Sequence, residues 1–216
     1  MKLYLIFFIT TICSLLSCDD RSSKDENVGK ASSETAVSTP QDSAGGKDRH
    51  VTRADGLIVP GISIGSVLIN ENMDSVLEQL GKPDAGDAAM GKSLSTWYLQ
   101  PKMNDSIMQP QINIYAGRNM GIGREISRVI QIRVTASQFA TSNDIHTGAS
   151  LTAVTNEFKN LKKVSVYKTG KNLIDVFSDA ESGIAFEFDS TQKCIAIIIY
   201  EPNKNGSQPY IPVHPE

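Results

Sequence analysis

The chain has 216 residues, and 21% of them are charged, with the two signs interspersed and a net charge of −3. That length suits one domain of ordinary size. A near-neutral chain with mixed signs has no electrostatic footprint for nucleic acid, so no nucleic-acid partner is expected.

At the N-terminus, Lys2 precedes a charge-free, mostly apolar stretch from Leu3 to Leu16. Fourteen residues are too few to span a bilayer, which needs roughly 20, but they suit a signal peptide. The stretch closes on Leu15-Leu16-Ser17-Cys18, with Asp19-Asp20 behind it. A small residue before a cysteine at this point resembles the bacterial lipobox. The resemblance implies cleavage after residue 17 and acylation of Cys18 by a diacylglyceryl group and palmitate. Each buried methylene contributes roughly 0.8 kcal/mol, so two or three acyl chains anchor stably where one does not. The expectation is a cell-envelope lipoprotein, with the outer membrane favoured. Cys13 leaves with the signal, and Cys194 then remains with no disulfide partner in the apolar run Cys194–Tyr200. A cysteine in such a run reads as a small buried hydrophobe.

Residues 18–55 read as a tether. Positions 19–55 hold eight acids and six bases and no Leu, Ile, Met, Phe, Tyr or Trp. Such a segment buries too little apolar surface to offset its ordering entropy. As a flexible coil it reaches about 35 Å.

The composition changes at Leu57-Ile-Val-Pro60, and a domain is expected over 56–201. Asn70 to Leu80 reads as a helix. Asn70 or Asn72 caps its start, Met73, Val76, Leu77 and Leu80 lie at helical spacing, and Gly81 and Pro83 end it. Strands follow at Leu94–Leu99, Gln111–Ala116 and Ile126–Thr135. In the last, Ile126, Arg128, Ile130, Ile132 and Val134 share one parity, and Val129, Gln131 and Arg133 share the other. The order then recurs. Ser150 caps a helix bearing Leu151, Val154, Phe158 and Leu161, and strands follow near Leu173–Phe177, Gly183–Asp189 and Lys193–Glu201. Two repeats result, about 61–136 and 143–201, with a polar, proline-containing tail over 202–216. The expected fold class is α+β: two tandem helix-plus-three-strand repeats, with helices packed on an antiparallel sheet.

Gly65, followed by Val76-Leu77-Glu78-Gln79-Leu80-Gly81-Lys82-Pro83, resembles the small repeat of BamE/SmpA-type envelope lipoproteins and of the β-lactamase inhibitor protein. That repeat has a glycine before the helix and then a V-x-x-x-L-G-x-P ending. The second half matches less: Gly148 is followed by Val154 and Phe158, but Leu161-Lys162-Lys163-Val164 replaces the Leu-Gly-x-Pro ending. The resemblance covers about residues 61–201 and rests on fold-setting positions. It implies architecture and, in the group at large, binding of other proteins or support of outer-membrane assembly.

Residues Gly86 to Ser93 satisfy the P-loop expression G-x-x-x-x-G-K-[ST]. A phosphate cradle needs a buried strand before the motif and a helix after it. Here a helix and Pro83 come before and a strand comes after, so the reading is a flexible helix-to-strand loop without nucleotide. Gly117-Arg-Asn-Met-Gly121-Ile-Gly123 reads as a hairpin loop. His50, His146 and His214 lack metal-ligand spacing, no serine sits in a nucleophile elbow, and no metal or cofactor is expected. Asp175, Asp179, Glu187 and Asp189 read as exposed strand and turn acids. Trp97, Tyr98, Tyr115, Tyr167 and Tyr200 read first as sheet packing. Trp97, Tyr98 and Tyr115 are also the candidate protein-binding residues, since aromatics on an open sheet face suit recognition. The expected role is a non-enzymatic, membrane-anchored module that binds an envelope protein. Two alternatives remain: an inhibitor or immunity protein for an exported hydrolase, and a small-ligand binder or enzyme.

Overall fold

A computed structural model describes residues 56–100, 109–118 and 126–203. The signal segment (1–17), Cys18, the tether (18–55), residues 119–125 of the glycine-rich loop and residues 204–216 of the tail lie outside the described residues. So do His50 and His214.

Three short strands come first: β1 (Leu57–Val59), β2 (Ser63–Ile64) and β3 (Val67–Leu68). Helix α1 (Met73–Leu80) follows, then β4 (Ala85–Ala89), β5 (Lys92–Tyr98), β6 (Gln111–Arg118) and β7 (Ser127–Val134). After the short β8 (Ala140–Thr141) come α2 (Leu151–Glu157), β9 (Lys162–Thr169), β10 (Asn172–Asp179), β11 (Ile184–Phe188) and β12 (Cys194–Tyr200).

The main sheet has eight strands in the order β4-β5-β6-β7-β12-β11-β10-β9. Every pairing in it is antiparallel. Two four-strand meanders therefore meet where β7 pairs β12. A second, small sheet has the order β3-β2-β1-β8, in which β1 and β8 run parallel.

This corrects the expected fold class. The described residues are mostly β, built around one large antiparallel sheet, and the two helices among them are only eight and seven residues long. Two strands of the large sheet, β4 and β9, were absent from the sequence reading. Ala85-Gly-Asp-Ala-Ala89 has poor intrinsic β-propensity. It is a strand because Ala85 to Ala89 pairs Thr96 to Lys92, closed by Met90 and Gly91 at φ 51° and 75°. Positive φ at both central residues defines a type I′ hairpin. Likewise β9 begins one residue beyond Leu161, which helical spacing assigns to the helix; α2 ends at Glu157.

The helices hold through their caps and their buried faces, since isolated helices of this length are marginal in water. The Asn72 side chain accepts from the Asp74 N–H at 3.0 Å, and the Gly81 N–H returns to Leu77 O at 2.9 Å. Ser150 Oγ accepts from the Ala153 N–H at 3.2 Å. Each helix approach also pairs with the last strand of its own meander. Asn70 donates to Val129 O at 2.8 Å, and Gly148 donates to Cys194 O at 2.7 Å.

One face of the large sheet carries the main core. Trp97, Ile114, Ile132, Phe186 and Ile197 are fully buried there under Val76 of α1, Val154 of α2 and Ile58 of the small sheet. Each such side chain stabilises the fold by about 1.5–3 kcal/mol. The strict alternation read for β7 is interrupted. Tyr115 pairs Gln131 but Ala116 pairs Val129, so Ile130 is an extra residue in a β-bulge. Val129 therefore joins Ile132 and Val134 in the core, against the expected parity. Arg128 does not enter an apolar face: its Nη1 donates to Asn70 O at 2.9 Å.

Candidate functional site

The register places Thr96, Asn113, Arg133, Ile198 and Ala185 in one row across β5, β6, β7, β12 and β11, on the face away from the helices. Val176, Ala185, Ala196, Ile198 and Tyr200, with Tyr167 against them, form a separate small apolar cluster on this face. Neither helix and none of the four short strands contributes to it.

A polar chain runs through the row. The guanidinium of Arg133 donates twice to Glu187, Nε to Oε1 at 3.1 Å and Nη2 to Oε2 at 2.7 Å. Its Nη1 donates to Asn113 Oδ1 at 3.0 Å, and Asn113 Nδ2 donates to Thr96 Oγ1 at 2.9 Å. The Tyr167 hydroxyl donates to Glu187 Oε2 at 2.9 Å. Arg133 is 1% exposed and Glu187 is wholly buried, so both charges are out of water. A buried ion pair survives only when its geometry is good and its remaining donors and acceptors are satisfied. That condition holds: no buried side-chain polar atom among the described residues lacks a partner. Beside the chain, the Ser178 and Tyr200 hydroxyls share a short hydrogen bond.

Burial, followed by the nearby Glu187 charge, pushes the Tyr167 hydroxyl well above its ordinary range, with Arg133 acting the other way. Burial also raises Tyr200, and Ser178 opposes it. Both phenols therefore stay protonated at neutral pH. The Glu187 carboxylate accepts from both Arg133 and Tyr167 and so joins β11 to β7 and β9.

The structure divides the aromatic residues singled out in the sequence. Trp97 is fully buried on the helix face, where its Nε1–H donates to Gly81 O at 3.1 Å and ties the end of α1 to β5. Tyr98 and Tyr115 lie on the opposite face with Leu94, all in register with the polar row. Tyr98 is 36% exposed, and Tyr115 and Leu94 are half-buried. Tyr167 and Tyr200 share this face on β9 and β12. An open margin of tyrosine and leucine thus borders a buried, hydrogen-bonded centre.

Residue type and spacing do not mark Arg133, Glu187, Asn113 and Thr96 as site residues, and Glu187, expected to be exposed, is buried. The flanking Phe186 and Phe188 point to the helix face, so alternation within β11 gave no signal that Glu187 is buried on the other. Asp179 is buried as well. Its carboxylate accepts from the backbone N–H groups of Glu181 and Ser182 and from Ser182 Oγ.

The P-loop-like segment is the β4–β5 hairpin, not a helix-to-strand loop. It lines an open depression of about 240 Å³ with Arg118 and Ser127. Lys92 pairs both Ala89 and Gly117, and the Arg118 N–H donates to Gly91 O at 2.8 Å. The segment is thus committed to a ladder and opens no helix, so it lacks the convergent amides of a phosphate cradle. Among the described residues, no three His, Cys, Asp or Glu side chains are grouped to hold a metal ion, and no helix is long and apolar enough to cross a membrane. His146 Nδ1 contacts Thr147 O at 2.7 Å. Cys194 is buried, its thiol donating to Ala196 O at 3.4 Å. No family model, curated protein or solved structure matches this chain.

Proposed function

We propose that this chain is a cell-envelope lipoprotein, anchored through lipid on Cys18, that acts as a non-enzymatic protein-binding module in the manner the BamE/SmpA-type resemblance implies. The observation that carries the reading is the sheet face away from the helices. Tyr98, Tyr115 and Leu94 form a partly exposed margin on strands whose neighbouring polar row is buried and fully hydrogen-bonded. Tyrosines on rigid strands give large contact area at low entropic cost, which suits recognition of a folded partner.

The test is photocrosslinking in intact cells from positions 98 and 115, followed by purification through a C-terminal tag and mass spectrometry. One stoichiometric envelope protein should crosslink from both positions and be lost with Tyr98→Ala/Tyr115→Ala. Recovery of the lipoprotein alone, under conditions that capture a known envelope complex, would sink the reading. The anchor is tested separately. Cys18→Ser should abolish palmitate labelling and release the chain from the membrane fraction; continued labelling would refute the assignment.

A further inference from the structure

We infer that the free edge of β9 takes up an extended acidic segment of the partner protein as a ninth strand; this rests on the protein-binding reading above. Among the described residues, β9 is a terminal strand of the sheet and has a ladder on one side only, to β10. A terminal strand presents a row of backbone donors and acceptors that another strand can pair. Its exposed apolar side chains are ones a strand partner would cover: Val164 is 53% exposed and Val166 is 48% exposed, and Leu173 of β10, opposite Lys168, is 58% exposed. Lysines surround them. Lys163 pairs with Asp175 at 2.8 Å, but among the described residues Lys162, Lys168 and Lys171 have no carboxylate partner. A net-acidic chain therefore concentrates positive charge along one terminal strand and the turn that follows it.

Charge complementarity selects the occupant. Two copies of β9 pairing antiparallel about their centres would set Lys163 against Lys168, and like charges opposite one another are destabilising. A lipid surface would meet the lysines but would leave the outward backbone groups without strand partners. A segment alternating acidic and β-branched residues satisfies lysines, valines and backbone together. On β9, Tyr167 shares the face that carries Tyr115 and Tyr98 on β6 and β5, toward the other end of the sheet.

Edge lysines also guard against aggregation, and the two roles separate by experiment. The lipidated full chain, reconstituted in phosphatidylcholine vesicles, is titrated with a fluorescent peptide of alternating Glu and Val. Controls are a Lys/Val peptide and a Glu/Val peptide with a central Pro. Only the first should bind, and Lys168→Glu/Lys171→Glu should weaken it by about tenfold. Lys168→Gln/Lys171→Gln should weaken it less. Equal binding of the Lys/Val peptide, or binding indifferent to charge reversal, overturns the inference. So does protection of these lysines from acetylation by phosphatidylglycerol vesicles but not by the peptide, which assigns the edge to lipid. Self-association through β9 that the peptide fails to compete assigns it to a second copy and also overturns it. A partner crosslinked from position 98, with no peptide binding, removes this inference and leaves the proposed function standing.

Discussion

Arg133 and Glu187 set the character of the site at the scale of single residues. Removing one member leaves a buried charge uncompensated, which costs about 3–5 kcal/mol, whereas removing both together costs far less than the sum. Urea denaturation of the full chain should therefore show a large loss for Glu187→Leu and a smaller one for Arg133→Met/Glu187→Leu. Additive losses would mean that the pair is not coupled as its bidentate geometry demands. Cys194 is a second single-residue case. Burial, followed by the Glu187 charge, pushes its thiol well up from its ordinary range. Alkylation mapped by mass spectrometry should spare Cys194 in the native chain and modify it in guanidinium; native labelling would contradict the buried placement.

At the scale of elements, the turn between β11 and β12 is held by one carboxylate. Asp189 Oδ1 accepts from the Thr191 N–H at 2.9 Å, the Thr191 hydroxyl at 2.7 Å and the Lys193 N–H at 3.0 Å. Desolvation acts upward on this group, but the Thr191 and Lys193 hydrogen bonds and the Lys193 charge outweigh it and hold Asp189 below its ordinary 3.8. A depressed carboxylate stabilises the fold above its unfolded pKa, and that contribution is lost as pH falls through the folded value. Asp189→Asn should thus lower the denaturation midpoint at neutral pH, with the gap to the parent closing as pH falls below about 4. A gap that stays constant down to pH 2 would contradict this account. The same scale explains what was legible. The cap at Ser150, the choice of Asn70 or Asn72 for the other cap, and six apolar strand segments were readable because local sequence dictates them. β4 and the Ile130 bulge were not. Small residues became a strand only through β5, and the extra residue shows only when β6 is laid beside β7.

At the scale of the whole molecule, the small sheet is fastened to the large one where Gly61, Gly183 and Pro202 meet. A Cβ on Gly183 would lie 2.3 Å from Tyr200 O and 3.0 Å from Gly61 Cα, and φ there is +69°. Backbone cannot yield as a side chain can, so Gly183→Ala should cost about 3 kcal/mol or more through overpacking and strain. Thermal unfolding would register it, and an unchanged midpoint would show that this junction opens without cost.

The candidate site was half legible. Tyr98 and Tyr115 were named from their residue type, while Trp97 proved to be core. Arg133 and Glu187 stand 54 positions apart, and each looks like an ordinary strand residue until the strands are aligned. By itself the sequence determined what depends on near neighbours: the helix caps and most of the strand positions. Tertiary structure alone decided the strand order, the bulge that moves Val129 into the core, and the pairing of two charges through a face of the sheet. The reason is physical: periodicity and capping act over a few residues, whereas register, desolvation and ion pairing act between chain segments that only folding brings together.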